Sequence, residues 1–142
     1  MNASIILISL TSMWQWTGYN MVIYLAGLQS IPDEIYEAGD IDGTNSLQKF
    51  FYITLPMLVH AITINIVLST ISVLKIFDLP FVMTRGGPGY ATTSLAIRIY
   101  TSAFGETRMG YGAAMSIILF VFVLVIAVVQ TWYFRKREKE IY

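Results

Sequence analysis

Three runs of this chain contain no Asp, Glu, Lys or Arg: Met1 through Pro32, Phe50 through Leu74, and Met109 through Phe134. Each exceeds the ~20 residues that a helix needs to cross the hydrocarbon core of a bilayer. Bare N–H and C=O groups find no water there, so a crossing segment must satisfy them internally, and the runs are expected to be helices. Spans are placed at 5–28, 57–76 and 112–134. The competing reading, a soluble core helix, would require 142 residues to bury three such segments. Composition points the same way, with 56% hydrophobic and only 13% charged residues, outside the usual soluble mixture. The first run has no basic residue before it and a longer apolar stretch than a cleaved leader, so it is read as retained.

Charge sets the expected orientation. The tail RKREKEIY begins at Arg135, directly after the third run, and short basic flanks tend to stay cytoplasmic. That puts the 31–55 loop inside, and the N-terminus and the Pro80–Arg108 segment outside. Arg85, Arg98 and Arg108 in the outer segment pull against this assignment, while the inner loop holds Lys49 and five acids. A net charge of zero argues against nucleic acid as a partner. Without cysteine there is no disulfide framework and no thiol nucleophile. His60 has no ligand-spaced His, Asp or Glu near it, and no nucleophile–base pair or phosphate-binding loop occurs, so neither a metal site nor an enzyme is expected. Lys75 and Asp78, three residues apart, are assigned to pairing across a helical turn.

The polar segment between the first two runs divides into two short helices. Ser30, with Asp33 three residues on, approximates a capping box in which Asp replaces the usual Glu or Gln. Gly43 can take the left-handed conformation that ends a helix. Asn45 can cap a second helix with Gln48 reaching back, and there Leu47, Phe50, Phe51 and Thr54 share one face. Pro56 is expected to hold Leu55 extended and turn the chain before the next span. On these signals alone the segment is either an interfacial linker whose Phe face enters headgroups, or a docking knob for a cytoplasmic partner.

The order Glu37-Ala38-Gly39, three residues, Gly43, nine residues, Ile53-Thr54-Leu55-Pro56 resembles the EAA loop of ABC importer permeases, with Gly39 where a second Ala is usual. A second block, MTRGGPGYATTSLAIRIYTSAFGETRMGYGAAMS from Met83 to Ser116, resembles the carbohydrate-uptake permeases, specifically MalF/UgpA-type subunits. The resemblance implies an all-α integral membrane fold, with three transmembrane helices and a cytoplasmic coupling helix–turn–helix, and residues 1–142 as a single permease domain. It implies a subunit of an ATP-driven sugar importer, coupled to ABC ATPase subunits through Glu37, Ala38, Gly39, Asp42, Gly43, Leu55 and Pro56. It further implies a second, MalG-like permease subunit and an extracytoplasmic sugar-binding protein that meets Gly86, Gly87 and Pro88. ATP and Mg would be bound by the partner ATPase and no cofactor by this chain. The implied location is the bacterial or archaeal cytoplasmic membrane. Permeases of this type usually have about six spans and the resemblance covers the C-terminal half, which suggests a fragment, a split subunit or a remnant, in that order. A membrane scaffold that docks the ATPase without conducting is the alternative function.

Two polar stripes are candidates for the substrate path. Ser12, Gln15, Trp16 and Tyr19 fall at i, i+3, i+4 and i+7 of the first run, and Asn65, Ser69 and Ser72 at i, i+4 and i+7 of the second. Midplane sites at helix interfaces are the general transporter arrangement, although small and polar residues also glue membrane helices together.

Overall fold

The computed structural model describes residues 2–138 and is helical throughout, with no strand among the described residues. The first long helix, α1, covers Asn2–Gln29. A hairpin follows, made of α2 (Asp33–Ile41) and α3 (Ser46–Lys49). The chain then runs through a π turn (Phe50–Thr54), α4 (Leu55–Met57) and α5 (Val59–Leu74). Beyond a break come α6 (Asp78–Thr84), α7 (Leu95–Tyr100), a second π turn (Thr101–Gly105) and the longest helix, α8 (Met109–Glu138). Residues 139–142, the end of the basic tail, lie outside the described residues.

Length and composition qualify two segments as membrane spans, Val59–Thr84 and Met109–Lys136, whose apolar windows are only 6% and 11% buried. Helices that apolar and that unburied are not the core of a soluble domain. They overlap the expected spans at 57–76 and 112–134. At 5–28 the structure has a helix of crossing length, α1, but its polar stripe dilutes it, so it does not join the other two on composition.

Helix α5 sits between α1 and α8, while α7 and the second π turn pack on the start of α8. Small residues set these approaches. A Cβ on Gly27 of α1 would lie 2.8 Å from Ala61 Cβ, and one on Gly112 of α8 would lie 2.7 Å from Ala103 Cβ. Close backbone contact through small residues is how helices associate where lipid offers no hydrophobic drive. A polar tie adds to it, as Gln130 Nε2 of α8 donates to Thr70 Oγ1 of α5 at 3.1 Å. Phe77 and Phe81 stack with centroids 4.8 Å apart, and Tyr100 meets both edge-on, pinning α6 against α7.

Three expectations about local shape are overturned. Ser30 does not cap α2: the helix starts at Asp33, its N-cap is Pro32 with no side-chain bond, and Ser30 Oγ donates back to Gly27 O at 2.7 Å. Leu55 is not extended but helical, at φ −64° and ψ −45°. Pro lacks an N–H and its ring crowds the carbonyl four residues back. The preceding turn answers both demands by widening, with Leu55 N–H bonded to Phe50 O, five residues away. The helix therefore passes through Pro56 and the chain keeps its direction. The Lys75–Asp78 turn is likewise absent, since α5 is capped at Lys75 and α6 begins at Asp78.

Candidate functional site

The polar hairpin is tied together by its own backbone and by three cross-links. Helix α2 closes in a Schellman motif: Thr44 N–H donates to Gly39 O at 3.0 Å and Gly43 N–H to Asp40 O at 3.1 Å, with Gly43 at φ +72°. Helix α3 opens in a full capping box, in which Gln48 N–H donates to Asn45 Oδ1 and Asn45 N–H to Gln48 Oε1, both at 2.9 Å. Across the hairpin, the Lys49 ammonium pairs with the Asp40 carboxylate. The Tyr36 and Thr54 hydroxyls are hydrogen-bonded at 3.0 Å. Gly39 is buried, and a Cβ there would lie 2.9 Å from Ile53 Cδ1. Gly in place of the usual second Ala therefore does not loosen α2; it lets Ile53 press against the backbone.

Glu37, Ala38, Asp42 and Gly43 are all exposed at this end of the molecule, whereas Gly39 is not. Ile41, at 87% exposure, stands out beside them. The expected single face of Leu47, Phe50, Phe51 and Thr54 splits. The first three stay exposed while Thr54 is buried, because the π turn adds a residue and shifts the helical phase before position 54 is reached. Leu55 is exposed and Pro56 half-buried, both within the helical path rather than at the tip.

A groove of about 340 Å³ runs between α1 and α5, lined by Ser12, Met13, Trp16, Thr17, Asn20, Ser69, Ser72 and Val73. A second hollow of about 320 Å³ shares Ser12, Trp16 and Ser72 with it. That hollow continues to Gln15, Lys75, Phe77 and Asp78 at the break between α5 and α6. Five of the seven residues of the two stripes thus converge. Tyr19 lines neither hollow but lies edge-on against Trp16, with centroids 5.5 Å apart. Asn65 is buried, with its Oδ1 unpaired among the described residues. Asn20, one turn beyond Trp16, is a groove residue that the two stripes miss, although the four-residue spacing from Ser12 through Trp16 leads to it. Its Oδ1 is also buried without a partner among the described residues.

The groove brings hydrogen-bonding groups and an aromatic face together. Ser12 and Ser72 spend their protons on their own helix, donating to Ile8 O at 2.8 Å and Leu68 O at 2.9 Å, so their lone pairs remain to accept. The Gln15 amide and Trp16 indole bring N–H donors, and the indole face offers a flat apolar surface for C–H groups.

At the opposite end, Gly86, Gly87 and Pro88 form a tied turn. Gly86 is buried at φ +88°, and its carbonyl accepts from Thr92 N–H and the Thr93 hydroxyl. Thr92 Oγ1 also donates to Gly87 O at 3.0 Å. Gly86 is thus a scaffold position, and the turn presents Pro88 and the 83%-exposed Tyr90 instead. Among the described residues no group of His, Cys, Asp and Glu could hold a metal ion.

Known proteins share this sequence along nearly its whole length. Residues 2–139 match the family model "Binding-protein-dependent transport system inner membrane component". The sulfoquinovosyl glycerol transport system permease protein SmoG of Agrobacterium fabrum is 37% identical over 131 residues, covering 92% of this chain and 42% of its own length. The multiple sugar-binding transport system permease protein MsmF of Streptococcus mutans is 36% identical over 137 residues, 96% of this chain and 47% of its own. A putative ABC transporter permease protein, ORF1 of a Caldicellulosiruptor species, is 40% identical over 127 residues, 89% of each chain. The chain therefore spans less than half the length of the first two relatives and most of the third.

Proposed function

The chain belongs to the family of binding-protein-dependent transport system inner membrane components, and from that membership we propose that it is a membrane-spanning subunit of an ATP-driven sugar importer, forming part of the translocation path and coupling it to an ATPase subunit. The observation that carries this reading is the helical path from Ser46 to Leu74, which joins the hairpin directly to the wall of the groove. Leu58 N–H reaches Thr54 O at 3.0 Å and Ile62 N–H reaches Leu58 O at 2.9 Å, so the short turn at Leu58 does not uncouple the two halves. The path is on the order of 40 Å at 1.5 Å per residue, long enough to connect one face of a bilayer with its interior.

In this scheme the exposed tip, with Glu37, Ala38, Asp42 and Gly43, seats in a cleft of the ATPase. ATP binding draws two ATPase subunits together and displaces the tip. Helix α5 follows, and the hollows lined by Ser12, Gln15, Trp16, Ser69 and Ser72 change the side to which they open. Moving such an equilibrium from 1:99 to 99:1 takes about 5.5 kcal/mol of preference for one state. Sugar arrives on an extracytoplasmic binding protein that meets the turn around Pro88 and Tyr90. A second permease subunit covers polar groups that α1 leaves open.

The test compares two classes of variant in the assembled importer. Gln15→Ala and Trp16→Ala are expected to cut uptake of di- or oligosaccharides roughly tenfold, the worth of about 1.4 kcal/mol, while the ATPase subunits still co-purify. Glu37→Lys and Gly43→Pro are expected to lose the ATPase or leave hydrolysis without uptake. Normal uptake in both groove variants with the ATPase docked would instead favour the non-conducting scaffold.

A further inference from the structure

We propose that Tyr36 and Thr54 form a strut that fixes the hairpin's angle to α5, making both residues positioning residues for coupling; the inference rests on the functional reading above. The π turn is the weak point of the path from tip to groove. Turns of this kind are rare and recur at functional sites, and this one sits where Pro56 can neither donate an N–H nor clear the carbonyl four residues back. Left to itself it would be a joint at which the tip could swivel without moving the span.

Two side-chain contacts close that joint. Tyr36 and Gly39, three residues apart, lie on one face of α2 and engage the two last residues of the turn. Ile53 presses on Gly39, and the Thr54 hydroxyl, in a residue only 9% exposed, meets the Tyr36 phenol at 3.0 Å. Asp40, 66% exposed, and Lys49, 21% exposed, add a third tie nearer the tip, but it joins α2 to α3 rather than to the π turn. The Tyr36–Thr54 bond is the polar contact that ties α2 to the π turn itself. Removing the phenol oxygen alone leaves Thr54 free to bond back to its own helix, as Thr hydroxyls commonly do. The loss should therefore appear in coupling rather than in folding.

The test uses the absence of native cysteine in the chain. Leu10→Cys and Val82→Cys, exposed on α1 and α6, carry spin labels in the assembled importer. Their separation is measured by pulsed electron resonance with and without Mg-ATP. In the parent, Mg-ATP is expected to shift the distance. Tyr36→Phe should lose roughly half or more of that shift with the ATPase subunits still bound and thermal stability unchanged. Thr54→Ser, which keeps the hydroxyl, should behave as the parent. A full parental shift in Tyr36→Phe overturns the strut. No shift in the parent itself, with ATPase bound and hydrolysing, overturns the functional reading on which it depends.

Discussion

Gly39 and Gly43 show how differently two glycines four residues apart can be required. At Gly43 a Cβ would meet nothing within 4 Å, yet the backbone stands at φ +72°. At Gly39 the backbone is ordinary helix, and the constraint is Ile53 Cδ1 at 2.9 Å and Thr44 Oγ1 at 3.1 Å. Gly43→Ala should therefore lose about 1–2 kcal/mol through backbone conformation alone. Gly39→Ala should be near neutral, since the tip of Ile53 can turn aside and Ala favours the helix by about 1 kcal/mol. Gly39→Val, which adds bulk that no rotation of Ile53 clears, should cost about 1–3 kcal/mol. Thermal unfolding in detergent would rank the three, and a Gly39→Ala loss equal to that of Gly43→Ala would contradict the distinction.

At the scale of elements, the capping box on α3 is the clearest local prediction. Asn45→Ala removes the acceptor for Gln48 N–H and should cost about 1 kcal/mol. Hydrogen exchange should speed up at Ser46–Lys49 while α5 keeps its protection. That box is readable from sequence because its partners are three residues apart and need nothing distant. The left-handed Gly43 is readable for the same reason. The start of α2 is not, since Ser30 has a competing acceptor in Gly27 O at the end of α1. Nor is the course through Pro56, because the avoidance of the helical region by the residue before proline is a bias that Leu55 overrides, and the π turn relieves the clash with the carbonyl four residues back that would otherwise break the helix. The convergence of the two polar stripes on one groove is legible as helical faces. The register that brings Ser12 and Ser72 to one wall, yet leaves Tyr19 off it, depends on how closely Gly27 meets Ala61, a contact between residues far apart in the chain.

For the whole molecule, the testable question is which ends face which compartment. If the hairpin is cytoplasmic and the Pro88 turn external, Tyr90→Cys should react with a membrane-impermeant maleimide on intact cells. Ile41→Cys should react only after permeabilisation. Both positions are more than four-fifths exposed in this chain, and the labelling is done in cells lacking the ATPase and binding-protein partners so that neither covers them. The reverse pattern would invert the topology. Of the three arginines that weaken the charge argument two are paired: Arg98 donates to Glu106 at 2.7 Å, and Arg108 lies 3.9 Å from the same carboxylate.

Each of the two segments that qualify as membrane spans is entered just after a π turn, at Phe50–Thr54 and at Thr101–Gly105, where Glu106 N–H bonds to Thr101 O at 2.8 Å. Such a turn holds one residue more than the α turn it replaces. Deleting a single residue inside the first would restore α spacing and leave the faces of α5 where they are, whereas deleting one from the α-helical stretch beyond it would rotate everything downstream by about 100°. The second is parted from α8 by residues 106–108, with Thr107 at φ +55°, so its length does not set the facing of α8. The first turn is thus a place where the chain can carry one residue more or less and keep its orientation, and a one-residue gap there between relatives would describe a trimmed bulge, not a change of facing.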